Sequence, residues 1–169
     1  MTGSNPLIVT ATFGLDDFSW LEGLRRQHFP AERNQVSAHL TLFHHLPPSL
    51  EPELKARLGA LTGSPPPRAS LAGIMDLGPG TAFRVDSEEL EEVRAELANA
   101  FHGLLTPQDQ APWRPHVTVQ NKVERRDAIA LQKVLQAGRF PRPLHIQGLA
   151  SWRYLGGPWE KLRTYAFRG

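Results

Sequence analysis

Cysteine is the one residue type that the sequence lacks altogether. Without a thiol the chain can form no disulfide, use no thiolate nucleophile and hold no thiolate-bound zinc. Apolar runs long enough to cross a membrane are missing as well. Residues Met1–Pro6 carry no basic side chain and the apolar stretch after them is short, which argues against a signal peptide. We therefore expect a cytoplasmic protein without a membrane segment.

A strong charge of either sign is also missing, because the formal net charge is only +2 although the pI is about 9.3. This charge is too small for a protein that coats long nucleic acids. Arginine nevertheless far outnumbers lysine, and its planar, forked donors suit phosphate. The balance favours a small or short phosphorylated ligand. The length of 169 residues fits one domain, or two small lobes that share a core.

Two short segments share one pattern, in which a histidine and a threonine alternate with apolar residues. They read HLTL at His39–Leu42 and HVTV at His116–Val119. In a β-strand alternate side chains share a face, so each histidine points the same way as its threonine. At about 3.3 Å of rise per residue, imidazole and hydroxyl stand roughly 6.6 Å apart, close enough to touch one small anion. Two such strands facing each other would bring two imidazoles and two hydroxyls to one place.

The remaining pattern predicts two similar halves joined by the Pro-rich segment Gly63–Pro67. Each half runs approximately from strand to helix to motif strand to helix, which indicates an internal duplication. We predict an α+β fold in which two pseudo-symmetric, antiparallel sheet-plus-helix lobes surround a central cleft. Residues 1–169 would form a single bilobal domain, with the first motif in a segment of about 6–62 and the second in about 68–169. Strands could be exchanged between the two lobes.

Apolar periodicity and breaker residues set the predicted elements. They include a helix capped by Asp16 or Asp17, a strand over Gln35–Phe43, a turn over His44–Pro48 and a loop over Thr106–Pro112. Further strands are predicted at about 6–13, 69–77, 81–85, 144–155 and 161–167, and further helices at about 52–61, 87–101 and 124–137.

Metal-free cleavage at a phosphodiester is the chemistry that needs two histidines and two threonines. A neutral imidazole takes a proton from the attacking water or hydroxyl, while a protonated one gives a proton to the leaving oxygen. Histidine suits both tasks because its ordinary pKa lies near 6.5. Threonine hydroxyls can donate to the non-bridging oxygens. A single such motif would mean little, since a partly buried histidine that donates to a backbone carbonyl is common. The repetition in matching halves makes coincidence the weaker explanation.

The paired motifs, about eighty residues apart, resemble those of the 2H phosphoesterase superfamily, which contains the bacterial 2′-5′ RNA ligase-like proteins. The resemblance implies a bilobal fold with each motif on a central strand. It also implies action on 2′,3′-cyclic phosphates or 2′-5′ linkages, with His39 and His116 as acid and base and with Thr41 and Thr118 binding phosphate. It names the chemistry and not the nucleotide.

Three further residues are weaker candidates for substrate binding. Arg114 has the strand parity of His116 and could reach the phosphate, although a surface arginine is nearly as good an interpretation. Phe43 has the parity of His39 and Thr41 and could stack on a base, although core packing competes. Tyr154 belongs to an aromatic cluster that could form a base platform. The neighbouring His44 and His45 would face opposite sides of a strand without an acidic partner nearby, so we expect no metal site.

Several functions are compatible with these residues. The leading hypothesis is a hydrolase acting on a cyclic phosphate or a 2′-5′ linkage, without a cofactor. An RNA ligase running the reverse reaction would use the same residues, and a non-catalytic module would hold an RNA end by its phosphate. The expected partners are RNA ends or small nucleotides, and a monomer is expected. The sequence does not decide which histidine is the base.

Overall fold

The computed structural model describes residues 5–168. Met1–Ser4, on which the argument against a signal peptide depends, and Gly169 lie outside the described residues. The strands are β1 (Leu7–Phe13), β2 (Leu40–Leu46), β3 (Arg68–Asp76), β4 (Thr81–Asp86), β5 (His116–Gln120), β6 (Arg142–Tyr154) and β7 (Trp159–Ala166). The helices are α1 (Leu15–His28), α2 (Glu51–Leu61), α3 (Glu88–Ala100), α4 (Pro107–Gln110) and α5 (Arg125–Gln136). Over residues 5–168, none of these helices is both long and apolar enough to cross a membrane.

All strand pairs are antiparallel, and the strand order is β2-β1-β6-β3-β4-β5, with β7 also paired to β6. The beginning of β6 pairs with β3, while its later part pairs with β1 and β7. Strand β6 therefore joins strands of both halves of the chain. The two motif strands, β2 and β5, stand at opposite ends of this order, yet their α-carbons approach within 8 Å. The sheet curls until its two ends face each other.

The core fills the space between the curled sheet and the helices. One face of β1 contributes Leu7, Val9, Ala11 and Phe13, all buried, because alternate residues of a strand share a face. Helix α1 packs against β5, the motif strand of the other half, whereas α3 and α5 pack against β3. The α+β class and the antiparallel sheet are as predicted.

Strand β2 differs from the prediction at both ends. Residues 35–39 are irregular because side chains occupy their backbone groups: the Ala38 N–H donates to the Glu22 carboxylate at 3.0 Å, and the Ser37 carbonyl accepts from the His39 ring at 2.8 Å. His39 thus lies immediately before the strand. The predicted turn over His44–Pro48 is wrong for its first part, since β2 continues to Leu46.

Two other predicted boundaries are also corrected. Helix α1 is capped by Gly14 rather than by Asp16 or Asp17. The Asp17 carboxylate instead accepts the backbone N–H of His145 at 2.7 Å. A Cβ at position 14 would meet the His145 ring, so a larger residue there would displace this exposed ring. The predicted loop over Thr106–Pro112 contains the short helix α4.

Candidate active site

The motif strands are edge strands, so one side of each lacks a pairing partner, and side chains bind the carbonyls left over. Arg25 of α1 donates to the Thr118 carbonyl on β5 at 2.9 Å. Arg94 of α3 donates to the Leu42 carbonyl on β2 at 3.2 Å, and the Trp113 indole donates to the Thr41 carbonyl at 3.0 Å. Each half of the chain therefore supplies a buried arginine that fixes the motif strand of the other half.

Both motif histidines are held by the same local contact. The His39 Nδ1 lies 2.8 Å from the Ser37 carbonyl, and the His116 Nδ1 lies 2.7 Å from the Arg114 carbonyl, two residues earlier in each case. Because a carbonyl oxygen only accepts, each Nδ1 carries the proton. The Nε2 of each ring is left to exchange a proton with a ligand. The sequence pattern is thus matched by an equal geometry in both halves.

His39 lies in the more enclosed surroundings. The Trp159 ring packs against it, with ring centroids 4.8 Å apart. Burial lowers the pKa of His39 from 6.5 to about 4. The hydrogen bond to Ser37 opposes this shift, whereas the charges of Arg25 and His116 add to it. His39 is consequently neutral at pH 7, and the two motif histidines are close enough for one charge to affect the other.

A cavity of about 460 Å³ lies beside His39 and Thr118. Tyr154, one of the candidate substrate contacts, lines it. Thr41 and His116 are half-buried on the facing strands and do not line the cavity. A larger cavity, of about 1060 Å³, lies where α1 begins, and neither motif contributes to its lining. We place the candidate site at the smaller cavity because one residue of each motif, His39 and Thr118, lines it.

For Phe43 the structure shows the alternative, core packing. Thr41 pairs with Thr10 of β1, but Phe43 pairs with Val9, so β2 has one extra residue there and forms a first β-bulge. A second extra residue lies between Phe43 and Leu46, which pairs with Leu7. The first bulge turns Phe43 onto the core face with Val9, where it is fully buried with the Arg94 guanidinium 4.4 Å from its ring centre. A base cannot stack on it.

His44 is exposed in place of Phe43, and its charge also contributes to lowering the pKa of His39. The buried Asp109 carboxylate accepts the backbone N–H groups of His44 and His45 at 2.9–3.0 Å and the His44 ring at 3.1 Å. Burial alone would raise the pKa of Asp109, but these hydrogen bonds leave it below the ordinary value. Asp109 thus holds the second bulge, between Phe43 and Leu46, as an anion.

The remaining candidates are Arg114 and a metal site at His44 and His45. The Arg114 side chain is exposed and does not line the cavity; its carbonyl, which holds His116, is its contact with the site. Within residues 5–168, no group of three or more His, Asp or Glu side chains stands close enough to hold a metal ion. The contact between Asp109 and His44 was missed because the two residues are 65 positions apart in the sequence.

Sequence reasoning missed Arg25, whereas it considered Trp159 as part of a possible base platform with Trp152 and Tyr154 and not as a contact of His39. Arg25 is 3% exposed, and its second guanidinium nitrogen donates to the Asn34 side chain at 2.9 Å. Its spacing of four residues from the buried Leu21 could have revealed it, because that spacing keeps both on one face of α1. For Trp159 the sequence carries only its place in an aromatic cluster near Gly156 and Gly157.

Comparisons with known proteins agree with this architecture. The structure is similar to the crystal structure of a protein from Thermus thermophilus, with 20% identity, 97% of this chain and 98% of that chain covered, and a TM-score of 0.64. It is similar to Escherichia coli LigT complexed with 3′-AMP, with 18% identity, coverage of 98% and 99%, and a TM-score of 0.60. A crystal structure of a phosphoesterase gives 16% identity, coverage of 98% and 99%, and a TM-score of 0.59.

No curated protein matches the chain significantly in sequence. The family model of the 2′-5′ RNA ligase superfamily, however, matches residues 15–158, which include both motifs and most of the chain. The chain therefore belongs to the 2′-5′ RNA ligase superfamily of 2H phosphoesterases.

Proposed function

We propose that the protein is a metal-independent phosphoesterase that hydrolyses 2′,3′-cyclic phosphates or 2′-5′ phosphodiester linkages. The observation that carries the proposal is the matched pair of histidines on facing edge strands. Each has its Nδ1 bound to the carbonyl two residues before it, so that each offers Nε2 for proton transfer. A purely phosphate-binding module would not need two imidazoles fixed in the same tautomer.

The reaction would use the two rings in opposite protonation states. Water attacks phosphorus while one Nε2 removes its proton, the bond from phosphorus to the 2′ or 3′ oxygen breaks, and the other ring protonates that leaving oxygen. The Thr41 and Thr118 hydroxyls would donate to the non-bridging oxygens as negative charge increases there. Microscopic reversibility means that the same four residues would serve ligation.

We assign the base to His39 and the acid to His116. The low pKa of His39 supports this assignment, because the free enzyme then holds this ring neutral at pH 7. A neutral imidazole with so low a pKa is a weak base in itself. An anionic phosphate bound next to it would counter the positive charges of Arg25 and His116 and raise its basicity when the substrate is present.

The ligand class is supported by solved relatives of the same fold. Escherichia coli LigT has been crystallised with 3′-AMP, with phosphate, with NADP⁺ and with ATP. These are nucleotides or their phosphate group. We therefore propose a small nucleotide or an RNA end as the ligand of this chain.

The direct experiment is incubation with adenosine 2′,3′-cyclic phosphate and separation of the products by chromatography. We expect conversion to an adenosine monophosphate at a rate that exhaustive chelation leaves intact. His116→Gln and His39→Gln should both abolish most of this turnover. A chelation-sensitive rate that added divalent ions restore would show that the metal-independent mechanism is wrong.

A further inference from the structure

We infer that the cavity beside His39 binds a second phosphate of the substrate, between Arg33 and Lys122. This inference deepens the proposed function and rests on it. It assigns a substrate class: a nucleotide or RNA end that carries one phosphate besides the reacting one. A nucleoside 2′,3′-cyclic phosphate, which has only the reacting phosphate, would leave this part of the cavity unused.

The first argument is the charge of the cavity wall. Its residues are Arg25, Phe29, Arg33, Gln35, Val36, His39, Thr118, Asn121, Lys122, Tyr154, Gly156 and Gly157. Three of these carry a full positive charge and none is acidic. Clefts whose walls carry charge of one sign concentrate ligands of the opposite sign, and Arg33 and Lys122 expose their side chains on this wall.

The second argument is that two of these cations have no partner of their own. Arg25 already donates to the Thr118 carbonyl and the Asn34 side chain. The side chains of Arg33 and Lys122, by contrast, form no ion pair or hydrogen bond with any residue in 5–168. Many other basic side chains of this protein do pair with a carboxylate, as Arg125 does with Asp76 at 2.7 Å. Acidic residues are therefore absent from this wall although they accompany cations elsewhere.

The third argument concerns how Lys122 is placed. Its backbone has φ of 60°, a left-handed conformation that is uncommon outside glycine. The Asn121 side chain accepts the Lys122 backbone N–H at 2.9 Å and supports this turn. The turn ends β5 directly after Thr118–Gln120 and puts Lys122 on the cavity wall. Arg33 reaches the same wall from the turn Ala31–Arg33 after α1, so the two cations come from different halves of the chain.

The chemistry of this pair fits a phosphate rather than a neutral group. Arginine and lysine donate charge-assisted hydrogen bonds to phosphate oxygens. The second phosphate could be the next phosphodiester of an RNA strand or a 5′-phosphate on a single nucleotide. Tyr154, 39% exposed on the same wall, offers a ring to the adjoining base.

The test compares kcat/KM for three substrates: adenosine 2′,3′-cyclic phosphate, its 5′-phosphorylated form, and the dinucleotide ApA with a 2′,3′-cyclic end. We expect one or both substrates with a second phosphate to exceed the first by about 10- to 100-fold, as one or two charge-assisted contacts would give. A preference for the dinucleotide alone would identify an RNA strand as the source, and a preference for the 5′-phosphate alone a mononucleotide. Arg33→Gln and Lys122→Gln should each bring the ratio between substrates towards one.

Arg139→Gln and Lys133→Gln are the matched controls, because both side chains are exposed and lie outside the cavity. They should leave the ratio as in the wild type, and circular dichroism should show all four variants folded. Equal kcat/KM for the three substrates, or a preference that survives Arg33→Gln and Lys122→Gln, would overturn the inference while leaving the proposed function standing. A failure to turn over any of the three substrates would instead contradict the proposed function.

Discussion

The two motif strands have nearly the same sequence and the same local hydrogen bonds but different surroundings. In β2 and in β5 the histidine ring is bound to the carbonyl two residues earlier, and an arginine from the other half binds a strand carbonyl. Strand β2 has two bulges, the second of them held by Asp109, whereas β5 has one, between Thr118 and Gln120. At its start Trp159 packs on His39 and burial lowers the pKa of that ring to about 4.

This difference indicates how a duplicated motif can supply both an acid and a base. Identical histidines in identical surroundings would compete for the same proton. The burial of His39 removes that degeneracy, because it keeps this ring neutral. The contacts shared by the halves fix the geometry, whereas the contacts they do not share would assign the roles.

Removing either ring should have the largest effect. His39→Ala and His116→Ala should each lower kcat by about 10²- to 10⁴-fold, the usual contribution of a general acid or base. The double variant should be little worse than either single one, since the two groups act as a unit. Rates on one cyclic-phosphate substrate test this. Near-normal turnover by either single variant would show that the two histidines do not act as a unit.

Replacing the threonines should have the next largest effect. Thr41→Val and Thr118→Val keep the β-branch but lose a donor, and each should cost about 2.7–4 kcal/mol in transition-state stabilisation. Thr→Ser at either position should be milder because the hydroxyl remains. A loss in only one valine variant would mean that the two strands do not share the phosphate. Wild-type rates in both would make these side chains structural.

The burial of His39 should appear in stability as a function of pH. Unfolded His39 binds a proton below pH 6.5, whereas folded His39 does so only below about 4. The unfolded state therefore gains protons as pH falls through this range, and the free energy of unfolding decreases by up to about 3 kcal/mol. Denaturant unfolding at pH 7 and pH 4 should show a smaller decrease for His39→Gln. His116→Gln is the control and should keep most of the decrease.

The contact between Asp109 and the second bulge of β2 is the other difference between the two motif strands. Asp109→Asn removes the charge that the two backbone N–H groups and the His44 ring share, and it should cost about 1–3 kcal/mol of stability. Asp86→Asn, at an exposed position, should stay within about 0.5 kcal/mol of the wild type. Chemical denaturation measures both. If the two variants behaved alike, Asp109 would not be holding the bulge.

The sequence predicted the fold class and the partition into strands and helices because apolar periodicity determines both. The repeated motif also led to the prediction that His39 and His116 share one site, since duplicated halves carry the motif at equivalent positions. What it could not predict depends on contacts between distant residues. The start of β2 is set by Glu22 and by the His39 ring, and the apolar periodicity of the sequence predicts neither contact.

The failure at Phe43 shows this limit most clearly. Strand parity puts residues 39, 41 and 43 on one face, but parity holds only in a regular strand. The first bulge exchanges Phe43 for His44, and Asp109, which holds the second one, comes from α4 in the other half. The lowered pKa of His39 is equally invisible in the sequence, because Trp159 and Arg25 reach His39 only through the fold.

The most direct test of the central claim is the pH dependence of kcat/KM for adenosine 2′,3′-cyclic phosphate, which reports the groups of the free enzyme. The account predicts a bell-shaped profile in which the acid limb lies near pH 4, where His39 becomes protonated and can no longer act as the base. The opposite limb would follow loss of the proton that the acid must deliver. An acid limb near pH 6.5, the ordinary value for histidine, or a profile without an acid limb between about pH 3 and pH 8 would contradict the assignment of His39 as the neutral base.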